Sequence, residues 1–169
     1  TDIVIETATE LASLLEDRAL VRGSAAAPTV IRSGLNKPVR VEKALALSGL
    51  QHVRLQGMIF AAAVEVQDCE NLTITSCVLT EPVTFTDCPG LRLVGNTWDH
   101  ATLTLVSCPT ALLRNNMFLS HSWTSDQPTD SDYNLYSTQL PAATEPNSVC
   151  GDPLLVPGHY FTNDANSPL

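Results

Sequence analysis

"CENLTITSCVLTEPVTFTDCPGLRLVGNTW", residues 69–98, holds two similar phrases, each opening on a cysteine and each alternating apolar with polar residues. Three readings compete for it: a disulfide framework, a metal site, or one structural unit written twice. Four segments fall under one another when the phrase is extended in both directions: VRLQGMIF from Val53, LTITSCVL from Leu72, LRLVGNTW from Leu91 and ALLRNNMF from Ala111. Their starts lie 19, 19 and 20 residues apart, and a near-constant period of this size marks a repeat architecture.

Apolar residues recur at the first, third and eighth places of each segment: Val53, Leu55 and Phe60; Leu72, Ile74 and Leu79; Leu91, Leu93 and Trp98; Ala111, Leu113 and Phe118. A second alternating pair accompanies each unit: Leu45 and Leu47, Val64 and Val66, Val83 and Phe85, Leu103 and Leu105. Each unit thus carries two short strands of period two. The bends between them are too short for the helix of a βαβ crossover. Hairpins are disfavoured because matched positions keep their side-chain type from unit to unit instead of mirroring it. A solenoid remains, in which each unit is one turn and equivalent positions stack about 4.8 Å apart in parallel sheets. Crossover chirality predicts right-handed coiling.

The length of 169 residues suits one domain with a real core. A formal net charge of -9 gives no electrostatic footprint for nucleic acid or an anionic membrane surface. No apolar run reaches the roughly 18 to 20 residues that span a bilayer, so no membrane insertion is expected. The opening TDIVIETATE lacks the basic and apolar regions of a signal peptide. Starting without Met and stopping at NDANSPL, the chain reads as a mature form or a fragment of something longer.

Cys69, Cys77, Cys88, Cys108 and Cys150 are an odd number, so at least one is unpaired within the chain. With no CxxC pair and no His at zinc-ligand spacing from a Cys, the metal reading falls away. Cys69, Cys88 and Cys108 share one place in successive turns, and Leu50 holds it one turn earlier. A Leu in that column means it points inward, and a buried stack of thiols is expected. The alternative is a disulfide between neighbours, although parallel in-register side chains seldom supply the dihedral angle it needs.

The phrases LVGNTW and LLRNNMF resemble the strand-turn motif of right-handed parallel β-helix proteins of the pectate lyase type, which stack Asn at the bend. Asn96 and Asn116 occupy that place, with Met58 and Cys77 in the earlier turns, so an Asn ladder of two rungs is expected. ETATELASLLED followed by GSAAAPTVIRS looks like the opening of the alginate lyase and chondroitin lyase branch, and DYNLYST, CGDPLLV and YFTNDANSPL resemble the final coils of bacterial β-helix domains. Thr7 to Glu10 fits a capping box, and Leu11, Leu14 and Leu15 form one apolar face. A short helix capping the first coil follows, because an open end would expose both core and strand edges. Residues 122–148, rich in Ser, Thr, Asp and Pro, read as a long excursion, with a return to strand at Asp152-Pro153-Leu154-Leu155-Val156.

The bend after the first strand carries Ala61 and Ala62, then Glu81, then Asp99 and His100, then Ser120 and His121. Stacking brings Glu81, Asp99, His100 and His121 to one edge, near Trp123, Asp126, Asp130 and Asp132. Carboxylates beside imidazoles suit acid-base chemistry, a hard cation such as calcium, or a sugar. The competing reading is that bends simply collect solvated polar residues. Trp98 and Phe118 sit in the apolar eighth column and belong to the core. Trp123 lies outside the repeat, where it serves either to stack on a ligand or to pack the long loop.

The resemblance implies a lyase in which a Lys deprotonates the sugar with an Arg partner beside acidic calcium ligands. Here the strand bases are Arg54, Arg92 and Arg114, no Lys follows Lys43, and the Lys-Arg pair cannot be placed. Arg54 and Arg92 share a column with Thr73 between them, while Arg114 is displaced by two places. There is no GxSxG, no phosphate-cradling glycine loop and no HExxH. A glycosidase needs only two opposed carboxylates, and Glu81 with Asp99 is the pair that the alignment sets on adjacent turns.

These readings converge on an all-β chain, a single-stranded right-handed parallel β-helix of about five short turns. Its parts are a strand and capping helix over 1–19, the β-helix over 20–121 and a loop-rich closing segment over 122–169. The function expected is an extracellular or cell-surface module that binds polysaccharide, without a complete catalytic set. Trp123, Arg92 and Arg114 are its candidate ligand contacts. The alternatives are a polysaccharide lyase or glycoside hydrolase working through Glu81, Asp99, His100 and His121, and a structural spacer or assembly domain. No cofactor is expected, calcium at Asp126, Asp130 and Asp132 being the one candidate.

Overall fold

A computed structural model describes residues 1–17, 21–34, 37–119, 123–137 and 145–151. The chain begins with strand β1 (Asp2–Ile5) and helix α1 (Ala8–Glu16). Three strands per coil follow: β2 (Thr29–Ser33), β3 (Arg40–Val41) and β4 (Leu45–Ser48), then β5 (Val53–Gln56), β6 (Ile59–Phe60) and β7 (Val64–Gln67). The third coil is β8 (Thr73–Thr75), β9 (Val78–Leu79) and β10 (Val83–Thr86), and the fourth is β11 (Arg92–Val94), β12 (Thr97–Asp99) and β13 (Leu103–Val106). The fifth is β14 (Leu112–Arg114), β15 (Met117–Leu119) and β16 (Trp123–Ser125), after which come β17 (Asp130–Asp132), β18 (Leu135–Tyr136) and β19 (Val149–Cys150).

Every pairing is parallel, and the strands sort into three sheets, β1-β2-β5-β8-β11-β14-β17, β3-β6-β9-β12-β15-β18-β19 and β4-β7-β10-β13-β16. The fold is therefore a parallel β-solenoid of about five turns with one short N-terminal helix. Each unit contributes a third, two- or three-residue strand at the second sheet, in addition to the two read from alternation. The first and third apolar places face inward from the first sheet, with Leu55, Ile74, Leu93 and Leu113 in register and each about 1% exposed or less. The eighth place does the same from the second sheet, where Trp98, Phe118 and Tyr136 stack with ring centroids 5.8 and 5.0 Å apart.

The corners turn tightly because they use left-handed backbone. Gly49, Asp68, Asp87 and Ser107 form one column of positive φ, His52, Asn71, Gly90 and Thr110 a second, and Gly57, Ser76, Gly95, Asn115 and Tyr133 a third. Most are Gly, Asn, Asp or His, which carry no Cβ or enter that region more readily, whereas Thr110 and Tyr133 are held there against their own preference. At Gly90 the backbone itself calls for glycine, since φ is +69°.

Next to the third column runs a ladder of side-chain acceptors. The backbone N–H of Met58 donates to Cys77 Sγ (3.5 Å), Cys77 N–H to Asn96 Oδ1 (3.0 Å), Asn96 N–H to Asn116 Oδ1 (3.1 Å) and Asn116 N–H to Asn134 Oδ1 (2.9 Å). Each Asn also donates from Nδ2 to a strand carbonyl, Ile74, Leu93 and Leu113 in turn. The Asn ladder has three rungs, not two. Residues 122–148, expected to leave the solenoid, carry β16, β17 and β18 in register with the coil before. Ser120, His121 and the expected return to strand at 152–156 lie outside the described residues.

The N-terminal end is closed as the capping box implies. Thr7 Oγ1 accepts the N–H of Glu10 (3.1 Å), Glu10 Oε2 accepts the N–H of Glu6 (2.7 Å), and Leu11 is buried in the core with Leu14 and Leu15 packed against it. In chain order α1 stands where the other coils carry their second and third strands.

All five cysteines are free, and Cys69, Cys77, Cys88 and Cys108 are buried while Cys150 is exposed. Cys69, Cys88 and Cys108 stack along the axis, and each thiol donates to the carbonyl two residues before it, Gln67 (3.3 Å), Thr86 (3.2 Å) and Val106 (3.3 Å). The neighbouring Cys88 side chain holds the Cys69 thiol below its ordinary value despite burial. Cys88, between two thiols and buried, is lifted to about 11. Cys108 is pushed up by Cys88 and by burial, and desolvation raises Cys77 to about 12. Native-state titration with a thiol reagent at pH 8 should therefore show one fast equivalent, Cys150, and four that react only on unfolding. Rapid labelling of Cys88 would contradict the stack. Asn116→Leu should lower unfolding free energy by about 3 kcal/mol in denaturant melts, because it strands the Asn96 N–H and the Leu93 carbonyl inside the core.

Candidate functional site

The corner between the second and third sheets lengthens by one residue along the chain. Leu79 and Val83 are separated by Thr80, Glu81 and Pro82, whereas Trp98 and Leu103 are separated by Asp99, His100, Ala101 and Thr102. The extra residue is taken up at His100, whose φ is +60° and whose N–H donates to the Leu119 carbonyl (3.1 Å). Ala101 then turns inward and is buried. His100 Nδ1 lies 2.6 Å from Asp99 Oδ1, with the imidazole 72% exposed and the carboxylate 19%. Such a carboxylate contact fixes the orientation of an imidazole. The pairing Leu79↔Trp98 sets Thr80 opposite Asp99 and leaves Glu81, exposed, one place further on. Asp99 and His100 are thus brought together, Glu81 is offset from Asp99, and His121 lies outside the described residues.

Trp123 belongs to the repeat. It is the fifth member of the inward column Leu45, Val64, Val83, Leu103 of the third sheet, half-buried against the core, and its Nε1 donates to the Tyr136 hydroxyl (3.0 Å). Sequence reading put it outside because the fourth and fifth coils have longer corners, which shifts the count by one.

The three acids after it have separate partners. Asp126 Oδ1 accepts the N–H of Ser107 (2.8 Å). Asp130 receives Arg114 Nη2 on both oxygens (2.9 and 3.1 Å), and the same guanidinium lies over the Tyr133 ring at 5.9 Å. Desolvation pushes the Asp132 carboxyl up, but hydrogen bonds from the Asn147 side chain and backbone and from the Tyr133 N–H outweigh it, so the group sits below its ordinary range. A calcium ion needs six to eight oxygens converging on one point. Among the described residues no three His, Cys, Asp or Glu side chains are grouped in this way, and Asp126, Asp130 and Asp132 are engaged by separate protein partners.

Outward from the first sheet, Arg54, Thr73 and Arg92 form one column in direct register. The next column holds Arg32, Gln56, Thr75, Val94, Arg114 and Asp132. Arg32 is paired with Asp2 at one end of the sheet and Arg114 with Asp130 at the other. Among the described residues the guanidinium groups of Arg54 and Arg92, both exposed, make no ion pair. Beside Arg54 a groove of about 240 Å³ is lined by Ser24, Pro28, His52, Asn71 and Thr73. Its rim is the tight turn in which Ser24 and Ala27 exchange backbone hydrogen bonds of 3.1 Å.

A further cluster gave no sign in the sequence. Glu145 is 8% exposed and accepts from Ser131 Oγ (2.6 Å), Tyr136 Oη (2.8 Å), Ser148 Oγ (2.6 Å) and Asn134 Nδ2 (3.2 Å). Burial, with the Glu145 carboxylate beside it, pushes the Tyr136 phenol above its ordinary value. Four donors on one buried carboxylate satisfy its charge without a cation. The cluster lies at the last described coil: among the described residues Asn134 is the last Asn of the ladder, its own N–H donating to Ser148 Oγ (2.8 Å), Tyr136 the last ring of the stack and Ser131 a member of the last strand of the first sheet.

Comparison with protein-family models, with curated proteins and with solved structures finds no significant match to this chain. Glu145→Leu should cost about 3 kcal/mol in chemical denaturation by stranding these donors, and Glu145→Gln about half as much, since an amide keeps one acceptor oxygen. Equal stability of the three proteins would show that the carboxylate does not hold this end together.

Proposed function

We propose that the chain is an extracellular or cell-surface module that binds polysaccharide along the outer face of its first sheet, related to the pectate lyase type of β-helix and lacking a complete catalytic set. The observation that carries this reading is the row of polar groups at the middle of that face. Arg54, Thr73 and Arg92 stand in one column and Gln56 and Thr75 in the next, at strand spacing, and a linear polymer of repeating sugars is a ligand class that matches polar contacts set in a row.

The Asp99–His100 contact favours one second reading, a lyase or hydrolase working at that corner. It has an oriented imidazole, whereas the two opposed carboxylates of the common glycosidase mechanism are not set up by Glu81, which lies one place beyond the partner of Asp99. A structural spacer within a larger surface protein is the third reading.

Incubation with a panel of uronate and neutral polysaccharides, reading binding and product release together, separates the three. Saturable binding without product is the expected outcome, unchanged by His100→Ala. Unsaturated or shortened sugars that disappear with His100→Ala would overturn the module reading in favour of the enzyme. Absence of binding to every glycan would leave the spacer.

A further inference from the structure

Four of the nine Lys and Arg side chains lie on strands of the first sheet, at Arg32, Arg54, Arg92 and Arg114. The sheet supplies its own counter-ions only at its ends, where Asp2 holds Arg32 and Asp130 holds Arg114 through both carboxylate oxygens. The two central arginines have none among the described residues. They point the same way from the same column, with Thr73 on the strand between, so their strands are about 9.5 Å apart. The groove lined by Ser24, His52, Asn71 and Thr73 opens beside Arg54 and adds hydroxyl, amide and imidazole groups to the guanidinium.

In a chain of net charge -9, this arrangement selects for sparse charge. A densely charged polymer meets repulsion from the whole molecule, whereas isolated negative groups within a Debye length of about 8 Å feel the nearest guanidinium first. Guanidinium groups recognise planar carboxylates and sulfate or phosphate oxygens through paired N–H donors. We infer that Arg54 and Arg92 form a two-point anion grip for a linear glycan with negative groups spaced about 9.5 Å apart. Thr73 and the groove beside Arg54 contact the uncharged part between them. This rests on the polysaccharide-binding reading and names its ligand as an anionic glycan of low charge density.

The test uses three polymers on one backbone: dextran, lightly carboxymethylated dextran and lightly sulfated dextran. Affinities are measured for the unmodified chain, Arg54→Gln, Arg92→Gln and Lys43→Gln, with circular dichroism as a check on folding. The anionic dextrans should bind at least about tenfold more tightly than dextran, and each arginine change should weaken them about tenfold, as expected for a charged hydrogen-bonded contact. Lys43→Gln, which removes the same charge next to β4 on the third sheet, should stay within about twofold. The ratio of carboxymethylated to sulfated affinity reports which anion the grip prefers. If Arg54→Gln and Arg92→Gln bind the anionic dextrans unchanged, or Lys43→Gln weakens them as much, the grip is wrong. If dextran binds as tightly as its anionic forms, the grip is also wrong, while the polysaccharide reading stands. Failure of every polymer here and in the wider panel sinks both.

Discussion

Coil-on-coil hydrogen bonding is the constraint from which the rest of the molecule follows. In a parallel solenoid nearly every strand N–H and C=O is satisfied by the coil above or below, so an inward residue must accept whatever its neighbours about 4.8 Å away have become. Strand residues meet this condition through the ladders. The left-handed corner residues do so too, the N–H of Gly57 donating to the Thr75 carbonyl, Ser76 to Val94 and Gly95 to Arg114, but the N–H of the residue that follows each of these needs a side-chain acceptor. The row from Met58 to Asn134 answers that need with side chains, and Cys77 stands in for an Asn by offering its sulfur to the Met58 N–H. The Asn ladder and the inner thiols are thus parts of one solution, in which small side chains complete the hydrogen bonds that the corners leave open.

The same constraint makes the two ends the difficult places. At the N-terminus the open coil is met by α1, whose Leu11 enters the core while Thr7 and Glu10 satisfy its first turn. At the last described coil a buried carboxylate gathers the unpaired donors. Glu145 takes hydrogen bonds from the last member of the ladder, the last ring of the stack and the hydroxyl of Ser131, which a purely apolar plug would have left unpaired. The stack beneath it has a cost of its own. Trp98 is wholly buried with no acceptor for its Nε1 among the described residues, so the column holds it for its volume and stacking.

The architecture was legible because stacking writes itself into sequence as a period. Leu55, Ile74, Leu93 and Leu113 betray it, and so do Cys69, Cys88 and Cys108, which face inward as Leu50 in their column implied. Legibility failed where the period changed without a change in role. The last coil spaces Asn134 eighteen residues from Asn116, surrounds it with Ser, Asp and Pro, and so hides a third ladder rung and the strands beside it. Trp123 was lost to the extra corner residue. Glu145 could not be found from sequence at all, because one acid in PAATEPNS is marked only by the four donors that surround it in space. Asp99 with His100 was found because sequence neighbours at a corner stay neighbours, whereas Glu81 depended on register and came out one place away.

The division between inward and outward columns also decides where function resides. Inward positions are bound by stacking, so a change at one is felt by the coils on either side and little can vary there for the sake of a ligand. Outward positions carry no such coupling, and the first sheet shows what they do with that freedom. Its end arginines are neutralised by Asp2 and Asp130 and serve to tie the terminal strands to the body of the sheet. If the central pair were there only for solubility, acids would serve as well in a chain that already carries 18 of them against 9 bases. Among the described residues neither guanidinium has an ion-pair partner, so the two add little to the fold, and their field acts most on an approaching negative group, which is what the proposed grip draws on.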